Sequence, residues 1–135
     1  MTIIEYSLNN NYNNYHRSLE TGKYINILTY KKNGHAVSTP VWFISKDNKI
    51  YIRTSNQSGK FKRLKNNNNV SYALCNISGK IKGEWHSGVA KIEPDLNKII
   101  FFKITEKYGI FAQIMNILYK IKKMDIIILS IESRD

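Results

Sequence analysis

The chain has 135 residues and a single cysteine, Cys75, which fits one domain with its own core and excludes both an intramolecular disulfide and a cysteine-based metal cluster. Lys and Arg total 21 against 10 Asp and Glu, and the net charge of +11 favours polyanionic partners: nucleic acid, an anionic membrane surface or a phosphorylated ligand. The first residues carry no signal-peptide pattern, and the apolar run Ile126 to Ile131 is too short to span a bilayer, so the expectation is a cytoplasmic protein with no membrane partner.

Taken in order, residues 1–14 are polar and Asn-rich, which predicts a loose N-terminal segment; Tyr15 to Leu19 suits a short helix before Thr21-Gly22. Lys23 to Tyr30 alternates β-branched and aromatic residues and predicts a strand. Asn33-Gly34 predicts a two-residue hairpin turn, and His35 to Ile44 the returning strand. Pro40 within that run places it at a sheet edge or a bulge. Ser45 to Lys49 reads as the next turn, Ile50 to Ser55 as a third strand, and Ser58 to Asn66 as a basic helix anchored by Phe61 and Leu64. Val70 to Ile77 and Lys82 to Ile92 follow as strands; Gly83 and Gly88 suggest a bulge or a close backbone approach in the latter.

Pro94 suits a helix start, and Leu96, Ile99, Ile100 and Ile104 keep helical spacing up to a break at Tyr108-Gly109. Phe111, Ile114, Met115, Leu118 and Tyr119 predict a second amphipathic helix with a well-defined apolar face. Asp125 to Ile131 predicts a last strand. The order βββαββααβ is that of one α+β domain over residues 1–135: an antiparallel barrel with packed helices.

The histidines His16, His35 and His86 form no metal-ligand pattern, and no nucleophile elbow or Walker loop is present. Cys75 reads as a core residue. The stretch with chemical promise is Ile50 to Lys65, a strand, a hydroxyl-rich turn and a helix start. Free amides and the helix dipole favour an anion there, with Ser58 as N-cap and Lys60 and Arg63 on one helix face. From these residues alone, a phosphate site and a solvated basic face are equally good readings. A single-strand nucleic-acid groove is a weaker one, because most aromatic residues lie in core-like strands. The heavy use of Asn, Lys, Ile and Tyr also matches an A/T-rich coding sequence, which lowers the weight of net charge.

Leu28-Thr29-Tyr30-Lys31-Lys32-Asn33-Gly34, Thr39-Pro40-Val41-Trp42-Phe43, Ile50-Tyr51-Ile52-Arg53-Thr54-Ser55 and Ser58-Gly59-Lys60-Phe61-Lys62-Arg63-Leu64, in this order, resemble the pyridoxamine 5'-phosphate oxidase-like FMN-binding split β-barrel family. Within it they resemble the small deazaflavin (coenzyme F-420)-dependent oxidoreductase-like members. The resemblance runs from about Leu19 to Ile131. It implies a mainly β split barrel, a homodimer with FMN or coenzyme F-420 at the subunit interface, and hydride transfer with a small-molecule substrate. It also implies cofactor contacts from Arg53, Thr54 and Ser55 to the ring or ribityl chain, from Ser58, Lys60 and Arg63 to the phosphate, and from Thr39, Pro40 and Val41 near the ring. Trp85 would pack from the partner subunit. The C-terminal Glu132-Ser133-Arg134-Asp135 departs from the Arg-x-His tail of vitamin B6 oxidases, and no histidine is placed as a haem ligand. The alternatives are a flavin-sequestering module without turnover and a basic nucleic-acid binder.

Overall fold

The computed structural model describes residues 2–4, 15 and 17–134. Seven strands form one antiparallel sheet: β1 (Tyr24–Tyr30), β2 (Ala36–Val41), β3 (Ile44–Lys46), β4 (Lys49–Ser55), β5 (Asn69–Cys75), β6 (His86–Ile92) and β7 (Ile126–Ser133). Helix α1 (Gly59–Asn66) follows β4, and α2 (Asn97–Tyr108) and α3 (Ile110–Ile121) lie between β6 and β7. Residues 17–21 are also helical. Most of the predicted loose N-terminal segment lies outside the described residues.

The spatial strand order is β2-β1-β5-β6-β7-β4-β3. The two edge strands, β2 and β3, are consecutive in the chain and separated only by Trp42 and Phe43. So short a link requires the two edges to approach one another, which curls the sheet. The result is an α+β split barrel, the predicted fold class. Pro40 sits on an edge strand, where its missing N–H leaves no central ladder bond unmade.

Strand alternation sorts the side chains into two layers. Ile25, Ile27, Phe43, Ile50, Ile52, Val70, Leu129 and Ile131 fill the barrel, and Leu19 and Leu64 pack against them. Tyr51 and Ile128 point the other way, where they meet Ile44 and the α2 residues Ile100 and Ile104. Covered on both faces, β4 is buried from Ile50 to Ser55. Cys75 is buried, as expected.

Three sequence expectations are corrected. The strand predicted from His35 to Ile44 is broken at Trp42-Phe43, and Ser45-Lys46, read as turn, belongs to β3. The two-residue turn is not at Asn33-Gly34, where only Gly34 has a positive φ and the loop closes from His35 to Lys31. It is at Asp47-Asn48, with φ of 52° and 62° and Lys46 paired to Lys49; adjacent positive φ values are what such a hairpin requires. The strand predicted from Lys82 starts only at His86, so Trp85 lies just before it. The predicted second helix forms, as α3; it buries Ala112 and leaves Phe111, Ile114 and Leu118 of its apolar face exposed.

Gly88 answers to the expected close approach. A Cβ there would stand 2.9 Å from the Glu132 carbonyl oxygen and 2.9 Å from Ile131 Cγ2. At Gly83 the nearest atom would be an ordinary 3.5 Å away.

Candidate functional site

The turn from β4 into α1 is built by its own hydroxyls. Ser58, in extended conformation, caps α1 by accepting from the Phe61 N–H at 3.0 Å. The Thr54 hydroxyl lies 2.7 Å from that of Ser58 and ties the strand end to the cap. Phe61 and Leu64 bury the inner face of the helix. The amides of Gly59 and Lys60, in the first turn, have no helical acceptor available to them.

Two cations crowd this helix start. Arg63 donates from Nε to the Thr29 hydroxyl at 2.7 Å, which folds its guanidinium back along α1. A Cβ on Gly59 would lie 2.8 Å from Arg63 Nη1, so the guanidinium covers the glycine at the first turn. Burial lowers the pKa of the Lys60 ammonium, and the charge of Arg63 lowers it further. Like charges pressed together at the positive end of a helix dipole form a place where an anion lowers the energy.

Val41, Arg53, Thr54, Ser55, Ser58 and Lys60 line one cavity of about 320 Å³. The structure thus gathers most of the predicted site. Trp42, Met115 and Tyr119 complete the walls and were not foreseen as site residues. Arg63 lies beside the helix start rather than in the wall. Thr39 and Pro40, on the edge strand, are not among the wall residues, but Thr39 Oγ1 is buried with no hydrogen-bond partner. Trp85, 45 % exposed, is likewise not part of the wall. Neither is His86, which packs between Tyr15 and Tyr72.

Arg53 is the unusual member. It is 8 % exposed, although it carries a full charge. Its Nη1 donates to Asn116 Oδ1 of α3. Its Cζ lies 5.6 Å from the ring centre of Trp42, 5.5 Å from Phe101 and 5.6 Å from Tyr119. Its Nη2 is buried without a partner. Desolvation lowers its pKa, opposed by Tyr119, and no carboxylate bears on it or on Lys60 among the described residues.

A hydrogen-bonded clamp fixes the wall residue Trp42. The hydroxyl of Tyr108 accepts from the Phe43 N–H at 2.9 Å and lies 2.7 Å from the Phe43 carbonyl oxygen and 2.8 Å from that of Lys23. Lys107 donates to the same Phe43 carbonyl at 2.9 Å. Trp42 stacks on the Tyr108 ring with centres 4.6 Å apart and planes 12° apart. The break between β2 and β3 is thereby pinned to the end of α2. Among the described residues no cluster of side chains could hold a metal ion, and no helix is long and apolar enough to cross a membrane.

No family model matches the sequence, and no curated protein matches it. Solved structures do match in shape. HutZ, the haem storage protein from Vibrio cholerae, superposes with a TM-score of 0.70 at 13% identity, covering 91% of this chain and 89% of its own. A provisionally named pyridoxamine 5'-phosphate oxidase from Listeria innocua gives 0.68 at 12% identity, covering 91% and 93%. An F-420 reductase gives 0.66 at 16% identity, covering 89% and 93%. At such identities the likeness is one of fold, and it extends over nearly the whole chain. The protein has the split-barrel fold of the pyridoxamine 5'-phosphate oxidase-like family.

Proposed function

We propose that the protein binds FMN or the phosphate-bearing deazaflavin coenzyme F-420 in the cavity between β4, α1 and α3, and acts as an oxidoreductase on a small organic substrate. The observation that carries this reading is the cationic pair at the start of α1: Lys60 and Arg63 next to uncapped amides, with no carboxylate bearing on Lys60 among the described residues. The residues fit such a ligand at both ends. The phosphate end is cationic, and Val41, Trp42, Met115 and Tyr119 offer flat or apolar wall for a ring. Of the predicted positions that keep a buried polar atom without a hydrogen-bond partner among the described residues, Arg53 (Nη2) is part of the wall and Thr39 (Oγ1) is not. The names of the F-420 reductase and the pyridoxamine 5'-phosphate oxidase of like fold support the same choice.

The bound cofactor would supply hydride transfer. The chain's own share is to neutralise the phosphate with Lys60 and Arg63, to fix the helix start through Ser58 and Thr54, and to hold the ring wall through the Tyr108 clamp. In this reading no side chain acts as an acid or base.

The proposal includes a homodimer with the cavity at its interface. Helix α3 supports it. Ile110, Phe111, Ile114, Ile117, Leu118 and Ile121 are all exposed and fall within roughly a third of the helix circumference, an apolar stripe that a second copy would cover. The same helix lends Met115 and Tyr119 to the cavity. Sedimentation velocity tests this point, and a monomer at about ten micromolar refutes it.

The cofactor reading is tested by titrating the protein with FMN and with coenzyme F-420 and following fluorescence. Lys60→Ala is expected to weaken binding by about 1–3 kcal/mol, the worth of a charge-assisted hydrogen bond, with an unchanged unfolding midpoint. Unchanged affinity in Lys60→Ala removes the site assignment. Absence of binding of either cofactor at micromolar concentration removes the function. Binding without turnover of any electron partner reduces it to sequestration.

A further inference from the structure

We infer that Arg53 anchors a carboxylate of the substrate, which makes the substrate a planar organic acid. The inference rests on the cavity of the preceding section being the binding site, and it adds a second anion point distinct from the phosphate end. Arg53 is more than nine-tenths buried and lines the cavity. One side of its guanidinium is committed to Asn116. The ring centres of Trp42, Phe101 and Tyr119 lie 5.6, 5.5 and 5.6 Å from its Cζ, but a ring face stabilises a cation without accepting a hydrogen bond along the guanidinium edge. Nη2 is therefore a charged donor, buried and unused.

A guanidinium without a counter-ion is costly to bury. A structural pillar of this size is better made from Met or Leu, which fill the same space without desolvating a charge. The cost is offset when a ligand brings the missing anion. A carboxylate suits the need, because its two oxygens match the planar fork of Arg. The phosphate of a cofactor already has Lys60, Arg63 and the amides of α1. The rings of Trp42 and Tyr119, each centred 5.6 Å from Arg53 Cζ, favour a flat body attached to that carboxylate, lying beside the cofactor ring rather than in its place.

Isothermal titration of the full chain with benzoate, and with benzamide as its uncharged counterpart, tests the inference, with an FMN titration run separately. Benzoate is expected to bind and benzamide to bind at least about tenfold more weakly, the loss of a charge-assisted hydrogen bond. Arg53→Met is expected to abolish the preference for benzoate while raising the thermal midpoint of the unliganded protein, because it removes an uncompensated buried charge. Arg53→Lys, which keeps the charge without the fork, is expected to retain part of the preference and decides the matter if Arg53→Met does not fold. Equal binding of the two probes, no binding of benzoate, or a benzoate preference unchanged in the variants overturns the inference. So does a lowered midpoint in Arg53→Met with benzoate binding intact, the mark of a pillar. FMN binding without benzoate binding defeats the carboxylate anchor and leaves the cofactor reading standing; benzoate binding without FMN binding does the reverse.

Discussion

The two faces of β4 are built on opposite terms. Toward the barrel, Ile50 and Ile52 join a dry cluster in which shape is the main requirement. Toward α2 and α3, Tyr51 and Arg53 enter a layer that mixes apolar contacts with buried hydroxyls, a guanidinium and an ammonium. Two of the three buried polar side-chain atoms left without partners among the described residues, Arg53 Nη2 and Asn97 Oδ1, belong to residues of this layer or of α2, while Thr39 Oγ1 is on the edge strand. The same strand thus shows two designs side by side. One face is finished by apolar packing, and the other keeps a buried guanidinium nitrogen, Arg53 Nη2, without a hydrogen-bond partner among the described residues. Stability should reside mainly in the first and binding in the second.

Core truncation should give the largest effect on folding. Ile27→Ala, at a fully buried barrel position, is expected to cost about 2–5 kcal/mol in chemical denaturation, because the packed wall relaxes only partly into the space. A cost near zero would mean that the barrel interior is not the tightly packed face. Next comes the clamp on the outer layer. Tyr108→Phe keeps the ring stack on Trp42 but leaves the Phe43 N–H without its acceptor; the expected cost is about 1–3 kcal/mol, accompanied by weaker cofactor binding if Trp42 shifts. An unchanged midpoint would show that water replaces the hydroxyl.

The smallest effect is a pH slope. Burial pushes the Lys107 ammonium from its ordinary 10.5 down to about 8. Between these values the unfolded chain holds more protons on this group than the folded one, so its contribution to stability rises with pH across that window. Below about pH 8 both states carry the proton and the strain of burying it is fully present. Urea midpoints at pH 8 and about pH 9.5 should therefore differ less in Lys107→Met than in the unaltered protein. Identical differences in the two proteins would show that the ammonium is at ease where it sits.

The barrel was readable because half-buried strands alternate. Lys23 to Tyr30 and Ile50 to Ser55 carry their own pattern, and α1 announces its start with Ser58 and its core with Phe61 and Leu64. Where side chains are apolar on every side, the pattern fails. Val41, Trp42 and Phe43 continue the run of β2, so the break that closes the sheet has no local sign. In α3 the outward Ile110, Phe111 and Ile114 are as apolar as the inward Ala112 and Met115, and periodicity alone does not say which set meets the sheet. Asn116 was the available clue: a polar residue in mid-helix facing a buried arginine. The cavity wall was legible where it is contiguous, from Arg53 to Lys60. Trp42, Met115 and Tyr119 reach it only through packing, which no local spacing encodes.

The place of β7 in the sheet sets a condition on how the molecule comes into being. It is the last of the seven strands along the chain, yet it lies between β6 and β4, with Ile131 opposite Ile50 and Ala90. Until it arrives, β3 and β4 have no hydrogen-bonded neighbour in the rest of the sheet, and the barrel cluster lacks Leu129 and Ile131. A nascent chain emerging from the ribosome can form the hairpins β1–β2 and β3–β4 at once, but not the barrel that joins them. Both sides of the gap must wait with open strand edges while α2 and α3 are synthesised. Such long-range closure is slow, and the waiting edges are prone to pair with other chains. Release of residue 131 is therefore the event that turns two separate pieces of sheet into one barrel.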